Sequence, residues 1–246
     1  MQELSGKVAV VTGSARNVGR AIALALADAG ASIMVNALTA VHEAEATADA
    51  IRRRGAKAAC FIGDVSNPAA AQALTDAAVR EFGRIDILVN NAALRREQAF
   101  EAVTIEDWRR VLSVTLDGAF LCAHACLPHL KHAGEGAIVN IGGVAGHAGV
   151  RHRTHVVTAK AGLAGFTKAL ALDLAEYGIT VNCVAPARID TPQSHSSAPR
   201  RHSVKTPLGR EGRPEEVAAM VRMLCGPDAR YISGQTIHVN GGLYMP

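Results

Sequence analysis

The chain repeats one pattern: a short run rich in β-branched residues, a turn, then a longer Ala-rich segment of helical length. The runs VAVVT (8–12), SIMVN (32–36), AACFI (58–62), DILVN (86–90), AIVNI (137–141), TVNCV (180–184) and QTIHV (235–239) predict seven strands. Segments at about 18–29, 40–54, 67–82, 104–131, 155–177 and 214–225 predict six helices between or after them. A strand followed by a helix before the next strand rejoins the sheet through a crossover, so its new neighbour runs parallel to it. The expectation is an α/β chain with a doubly wound, Rossmann-type parallel seven-stranded sheet and helices on both faces. Composition fits that demand, because 49% of residues are apolar and only 4% aromatic. A core of Ala, Val, Leu and Ile suits strands buried on both sides. No Pro/Ser-rich linker, charge block or repeat divides the 246 residues, which predicts a single dinucleotide-binding domain over 1–246.

Charge and cysteine usage narrow the classes of function. The formal net charge is +4, and no Lys/Arg stripe interleaves with aromatics, so no nucleic-acid partner is expected. No unbroken run of about 18 apolar residues occurs, and MQELSGKVAVVTG enters a strand at once, leaving no room for a signal peptide. These features predict a cytoplasmic protein with no membrane segment. Cys60, Cys122, Cys126, Cys183 and Cys225 lie in apolar stretches without paired ligand spacing. Cys122 and Cys126, one helical turn apart, read as small buried residues, and no metal site is expected.

The stretch TGSARNVGRAIALALA follows the first strand and opens a helix. Its backbone N–H groups and the helix N-terminus are placed to receive a pyrophosphate. Four further segments stand at carboxyl ends of strands or on the helix after the fifth: Asp64-Val65, Asn90-Asn91-Ala92-Ala93, Lys160, and Pro186 to Thr191. With them, the whole chain resembles the short-chain dehydrogenase/reductase family, on its 3-oxoacyl-carrier-protein-reductase-like side.

The resemblance implies a phosphate turn made of Gly13, Ser14, Arg16, Asn17, Val18 and Gly19. Asn17 stands where the family's middle glycine is usual, and Asn tolerates positive φ better than other non-glycine residues, so the turn is expected to survive. By the same resemblance Asp64 accepts a hydrogen bond from the adenine amino group and Val65 packs on its ring. Asn90 and Lys160 hold the nicotinamide ribose, Thr191 touches the carboxamide or phosphates, and Ala92, Pro186 and Ile189 line the same cleft. The second strand ends Asn36-Ala37-Leu38, without the acidic residue that pairs with a ribose 2′-hydroxyl. Arg16 matches a basic residue of NADP-binding members and can face a 2′-phosphate. NADP is therefore the expected cofactor. NAD stays open, because Leu38 supplies no second basic group and Arg16 can equally be a solvated loop arginine.

At the catalytic end the resemblance fails. Counting from Lys160 puts the family's Tyr at Val156, its Ser at Gly143 and its relay Asn at Thr115, and the only tyrosines, Tyr177, Tyr231 and Tyr244, lie elsewhere in the chain. Losing a positioned acid costs about 10²–10⁴-fold and losing an oxyanion donor about 10²–10³-fold. The family's usual carbonyl chemistry is thus not carried over residue for residue. The side chain at 156 is expected to point into a substrate cavity with room for a larger group. Histidines crowd the same place, and His147, four residues past Gly143, is the first candidate for a replacement acid; His152 is the second. Each can equally be an exposed loop residue.

Arg95, Arg96, Arg151, Arg153, Arg188, Arg200, Arg201 and Lys205 are expected on loops around the site, with Asp190 and Glu97 the main opposing charges. Such a rim would concentrate a small anionic substrate, and a generic solvated surface would look alike. The Ser/Pro/Arg-rich stretch at about 187–213 reads as a lid. Two functions remain open: an NADP(H)-dependent oxidoreductase with a non-standard active site acting on a small carbonyl, alcohol or imine, or a catalytically idle dinucleotide-binding regulator or partner subunit. The Ala-rich fourth and fifth helices, which family members pair across a two-fold axis, predict a homotetramer.

Overall fold

The computed structural model describes residues 2–191 and 206–246. Its sheet is built from β1 (Val8–Val11), β2 (Ser32–Ala37), β3 (Ala58–Ile62), β4 (Ile87–Asn90), β5 (Ala137–Ile141), β6 (Thr180–Pro186) and β7 (Thr236–Val239). The order is β3-β2-β1-β4-β5-β6-β7, and every pair is parallel. Chain direction across the sheet reverses between β1 and β4. Their carboxyl ends therefore open the crevice where doubly wound sheets bind ligands.

The sheet is buried on both faces because successive side chains alternate. Ala9 and Val11 of β1 join the cluster under α1 (Asn17–Asp28), α2 (Val41–Arg52) and α8 (Pro214–Cys225), whereas Val10 joins the opposite cluster. That opposite face is covered by α3 (Pro68–Phe82), α5 (Gly118–Ala133) and α7 (Thr154–Asp173). Local signals set several boundaries. The Asn67 side chain accepts from the backbone N–H groups of Ala69 and Ala70 while Pro68 fills the first helical turn, and Gly83, at φ 82°, ends the helix in the left-handed region.

The single helix expected over about 104–131 is interrupted. α4 (Ile105–Leu112) passes into a π-helical turn at Ser113–Asp117 before α5 resumes, a local widening that recurs at functional sites. The whole stretch Ile105–Ala133 has a mean hydropathy of 1.5 over its most apolar window, long and apolar enough by length and composition to cross a membrane. A count of unbroken apolar residues misses this, because His and Pro interrupt the run. Cys122, Cys126 and Leu130 of this stretch are buried in the core, as in a helix covering a sheet. The short helix α6 (Ala145–Ala148) was not expected; α7 gives way to a 3₁₀ turn at Ala175–Tyr177. Most of the proposed lid falls on 192–205, outside the described residues, as do Arg200, Arg201 and Lys205.

Candidate active site

The turn after β1 is assembled almost entirely from its own polar groups. Ser14 Oγ donates to the Val11 carbonyl at 2.7 Å and accepts from the Asn36 backbone N–H at 3.1 Å. Asn36 is buried, and its side chain bridges segments: Oδ1 accepts from the Gly13 N–H at 3.1 Å and Nδ2 donates to the Phe61 and Gly63 carbonyls. The hydroxyl of Thr12 accepts from both the Asn91 and Ala92 N–H groups at 3.0 Å, and Asn91 Nδ2 donates back to the Thr12 and Gly13 carbonyls at 2.9 Å. The β1 turn and the β4 loop are thus one rigid unit. Asn17 adopts φ 52° and Gly13 φ 60°, the positive values the turn requires. Gly19 is the tightest point, since a Cβ there would lie 2.3 Å from the Gly13 carbonyl oxygen and 2.5 Å from Asn91 Nδ2.

Asn36 and Ser14 are therefore spent inside the protein as pins for the turn, while Val18 packs partly buried beside α1's core. Asp64 accepts from the Ser66 N–H and hydroxyl and pairs with Arg110 at 3.0 Å. Burial works upward on its carboxyl pKa, but the Ser66 hydrogen bonds and Arg110 outweigh it and hold it below the usual value. Val65 is buried against Gly118 at the π-helical turn.

At the end of β5, Lys160 Nζ donates to the Ile141 carbonyl at 2.6 Å. The residue is only half-buried overall, but its ammonium end is enclosed. Burial, the main cause, brings its pKa down to about 8. Asn90 Nδ2 donates to Asn140 Oδ1 at 2.9 Å, and Asn140 donates on to the Thr167 hydroxyl, leaving Asn90 Oδ1 buried without a partner. A dinucleotide fits these residues. The backbone cradle at Gly13 and Gly19 has no space for a side chain, and an orphaned acceptor and an enclosed ammonium stand together farther along the same crevice.

Around Lys160 the groups differ from those expected. A Cβ at Gly143 would meet only the Pro186 carbonyl oxygen, at 3.7 Å, so a larger side chain has space there. Val156 does not face an open cavity. It is 8% exposed and lies in a cluster with Val111 and Ala159, against which Leu94, from the loop after β4, and Leu112 pack. Thr115, at the centre of the π-helical turn, buries its hydroxyl without a partner. His155, next to Val156, is fully buried, with Nδ1 accepting from the Val156 N–H and Nε2 unpartnered.

His147 lies on α6, whose Gly146 is packed so closely on α7 that a Cβ would sit 2.7 Å from the Ala161 nitrogen. Its ring meets His238 of β7 edge-on at 4.8 Å and Tyr244 at 5.8 Å, with His238 and Tyr244 5.0 Å apart. Both His147 Nε2 and His238 Nδ1 are buried without partners. Burial, and then His147, lowers the His238 pKa. Sequence reasoning missed His238 and Tyr244. One signal existed: alternation along TIHV sets His238 on the face opposite Ile237 and Val239. His152 stands in the left-handed region at φ 60°, and its carbonyl accepts from the Gln98 N–H at 2.7 Å, fastening the β4 loop to the start of α7.

Pro186 offers its carbonyl to the Val144 N–H, Ile189 bridges to Gly212, and Thr191 is buried at the last described residue before 192. Among the described residues no group of three or more His, Cys, Asp or Glu side chains is arranged to hold a metal.

A glycine-turned crevice at the switch point of a parallel sheet, with a lysine behind it, defines an α/β protein of the Rossmann class. Comparison with known proteins carries this further. The family model described as enoyl-(acyl carrier protein) reductase matches residues 13–244. A 3-oxoacyl-(acyl-carrier-protein) reductase of Vibrio cholerae is 38% identical over 245 residues, covering 98% of this chain and 99% of the relative. One from Synechocystis is 39% identical over the full length of both. A crystal structure from Sinorhizobium meliloti, assigned to the short-chain alcohol dehydrogenases, superposes with a TM-score of 0.93 at 34% identity, covering 98% and 97% of the two chains. The chain belongs to the short-chain dehydrogenase/reductase family of oxidoreductases.

Proposed function

We propose that the protein is an NADP(H)-dependent oxidoreductase with a non-standard active site, acting on a small anionic carbonyl, alcohol or imine, and that residues 1–246 work as one dinucleotide-binding domain. The observation that carries this reading is Lys160, whose enclosed ammonium is fixed on the Ile141 carbonyl at the head of the crevice beside Val156, which has no proton to give. NADP(H), when bound, supplies or accepts the hydride. Gly13, Asn17 and Gly19 form the backbone cradle for its phosphates, Arg16 faces the 2′-phosphate, and Asp64 and Val65 border the adenine. Asn90 Oδ1 accepts from the ribose hydroxyls and Lys160 Nζ donates to them. Ala92, Pro186, Ile189 and Thr191 complete the walls.

In the reductive direction a hydride added to the substrate carbon leaves an alkoxide or amide that must gain one proton. Thr115, Gly143 and Val156, which we assign to the family's Asn, Ser and Tyr positions, supply neither an acid nor a strong donor. The proton comes from elsewhere: from Lys160, whose pKa near 8 leaves it able to donate at neutral pH, from His147, from His152, or from the substrate's own acid. The 3-oxoacyl-(acyl-carrier-protein) reductases among its relatives support a carbonyl substrate, and the arginines around the cleft support an anionic one. Half-exposed Phe120 on α5 and exposed Leu172 on α7 support pairing of these helices in a cytoplasmic homotetramer.

Titration calorimetry tests the cofactor half. NADPH is expected to bind more tightly than NADH, and Arg16→Ala to shrink that ratio about tenfold, the loss of one charge-assisted contact. An unchanged ratio refutes the Arg16 assignment, and no binding of either cofactor at millimolar concentration refutes the function. Loss of turnover in His147→Asn with cofactor affinity retained would identify the acid; full turnover would exclude it.

A further inference from the structure

The loop after β4, which packs over the cluster holding Val156, carries a cation that no described residue neutralises, Arg95. Arg95 follows Leu94, which packs against the cluster of Val111, Val156 and Ala159, in a loop fastened at both ends: by Asn91 and Ala92 to Thr12, and by Gln98 to His152. The position of residue 95 is therefore set by the frame. Two other guanidinium groups stand near it, and both are already paired, Arg153 with Glu97 at 2.6 Å and Arg188 with Glu211 at 3.2 Å. Arg95 has no hydrogen-bond or ion-pair partner among the described residues. Three arginines against two glutamates leave one net positive charge at this spot.

Arg95 is open to solvent at its edge, yet the protein around it, and then Arg153 and Arg188, work against its charge. An unpaired guanidinium pressed by two others is costly in an isolated protein and is relieved by one anion. A second donor is present as well: Arg153 uses Nη2 on Glu97, while its Nε is buried without a partner.

We infer that Arg95, with Arg153 Nε beside it, is the docking point for the carboxylate of a small oxoacid whose reacting carbon lies a few bonds away, before Lys160. This rests on the reading of the cleft as the substrate site. The planar fork of a guanidinium matches the two oxygens of a carboxylate. One net charge suits a monoanion, and the short span from residue 95 to Val156 suits a small molecule in which acid and carbonyl are close together. A neutral ester of the same carbon skeleton has nearly the same shape but leaves Arg95 unrelieved.

The test is calorimetric titration of the NADP-bound protein with acetoacetate, with its neutral methyl ester, and with inorganic phosphate, in the wild type and in Arg95→Met. Wild type should bind acetoacetate at least tenfold more tightly than methyl acetoacetate. Arg95→Met, a change at an exposed side chain, should lose at least tenfold for acetoacetate and keep the ester and NADPH within twofold. Equal affinity for acid and ester, acetoacetate binding that survives Arg95→Met, or no detectable acetoacetate binding would each overturn the inference. Phosphate binding tenfold more tightly than acetoacetate would overturn the carboxylate assignment. The NADPH affinity read in the same samples judges the cofactor reading separately, so the two failures are distinguishable.

Discussion

The two halves of the crevice treat their polar groups in opposite ways. On the β1–β4 side, Thr12, Ser14, Asn36 and Asn91 bond to one another and to the turn, so that the phosphate turn is complete by itself and only Asn90 Oδ1 and Gln98 Oε1, beyond the turn, are buried without partners among the described residues. On the β5–β7 side, Thr115 Oγ1, His147 Nε2, Arg153 Nε, His155 Nε2 and His238 Nδ1 are buried without protein partners. Native proteins leave few such atoms, because each unmatched group costs about 1–3 kcal/mol. A turn that holds a common, invariant ligand part is best built rigid in advance. A site that selects a substrate leaves groups for that substrate to satisfy.

The hardest blow to this contrast falls on the rigid half. Gly19→Ala should destabilise the protein by about 3 kcal/mol or more, since the new methyl meets the Gly13 carbonyl as well as the Asn91 side chain, which is itself pinned to the turn. NADPH affinity should drop at least 100-fold; thermal melts with calorimetry check both, and a mutant with wild-type Tm and affinity would show that the turn is not prebuilt.

A slightly smaller effect probes Lys160 in the other half. Its pKa is lowered to about 8 in the folded chain against 10.5 for an ordinary lysine. The unfolded chain therefore binds more protons between those values, and folding stability from this group rises as pH climbs from about 8 to 10.5. Below pH 8 the full burial penalty stands. Denaturant unfolding of wild type minus Lys160→Met, without cofactor, should rise by at most about 3 kcal/mol between pH 7 and 10.5. The difference cancels Cys60, Cys122, Cys126 and Cys225, whose raised pKa values act the other way, while Cys183, which interacts with Lys160, changes with it. A flat difference would mean that the ammonium is hydrated.

Restoring hydroxyl groups sharpens the contrast further. Gly143→Ser enters open space, whereas Val156→Tyr must push Leu94 or Val111 aside, at roughly 1–3 kcal/mol. Combined with Thr115→Asn, these should raise reduction of a generic activated ketone at least tenfold over a wild type near background. A folded, NADPH-binding triple mutant with no gain would show the cofactor held in an unproductive pose, and a wild type already fast on that ketone would reveal an unrecognised donor. Smallest is His152→Gly, which relieves a left-handed non-glycine backbone and should raise stability by about 1 kcal/mol in a thermal melt. If activity persists, His152 is also excluded as the acid.

The seven strands were legible in the sequence almost to the residue, because a strand buried on both faces must be a short β-branched run and a crossover must be a long Ala-rich one. The turn was legible too: Asn17 at φ 52° follows from the tolerance of asparagine for that region. Lys160 could be singled out through the family resemblance. What the sequence could not show were relations set by distant segments. The π-helical turn that presents Thr115 left no local signal, and the packing of Leu94 against the cluster of Val156 and the meeting of His147 with His238 and Tyr244 join residues tens of positions apart. The charge of Arg95 is the sharpest case. In the sequence it is one cation among eight expected around a rim, and no local pattern tells a paired guanidinium from an unpaired one. Only packing assigned Glu97 to Arg153 and Glu211 to Arg188 and left Arg95 over, because pairing depends on distance through space, which the spacing of residues along the chain does not encode.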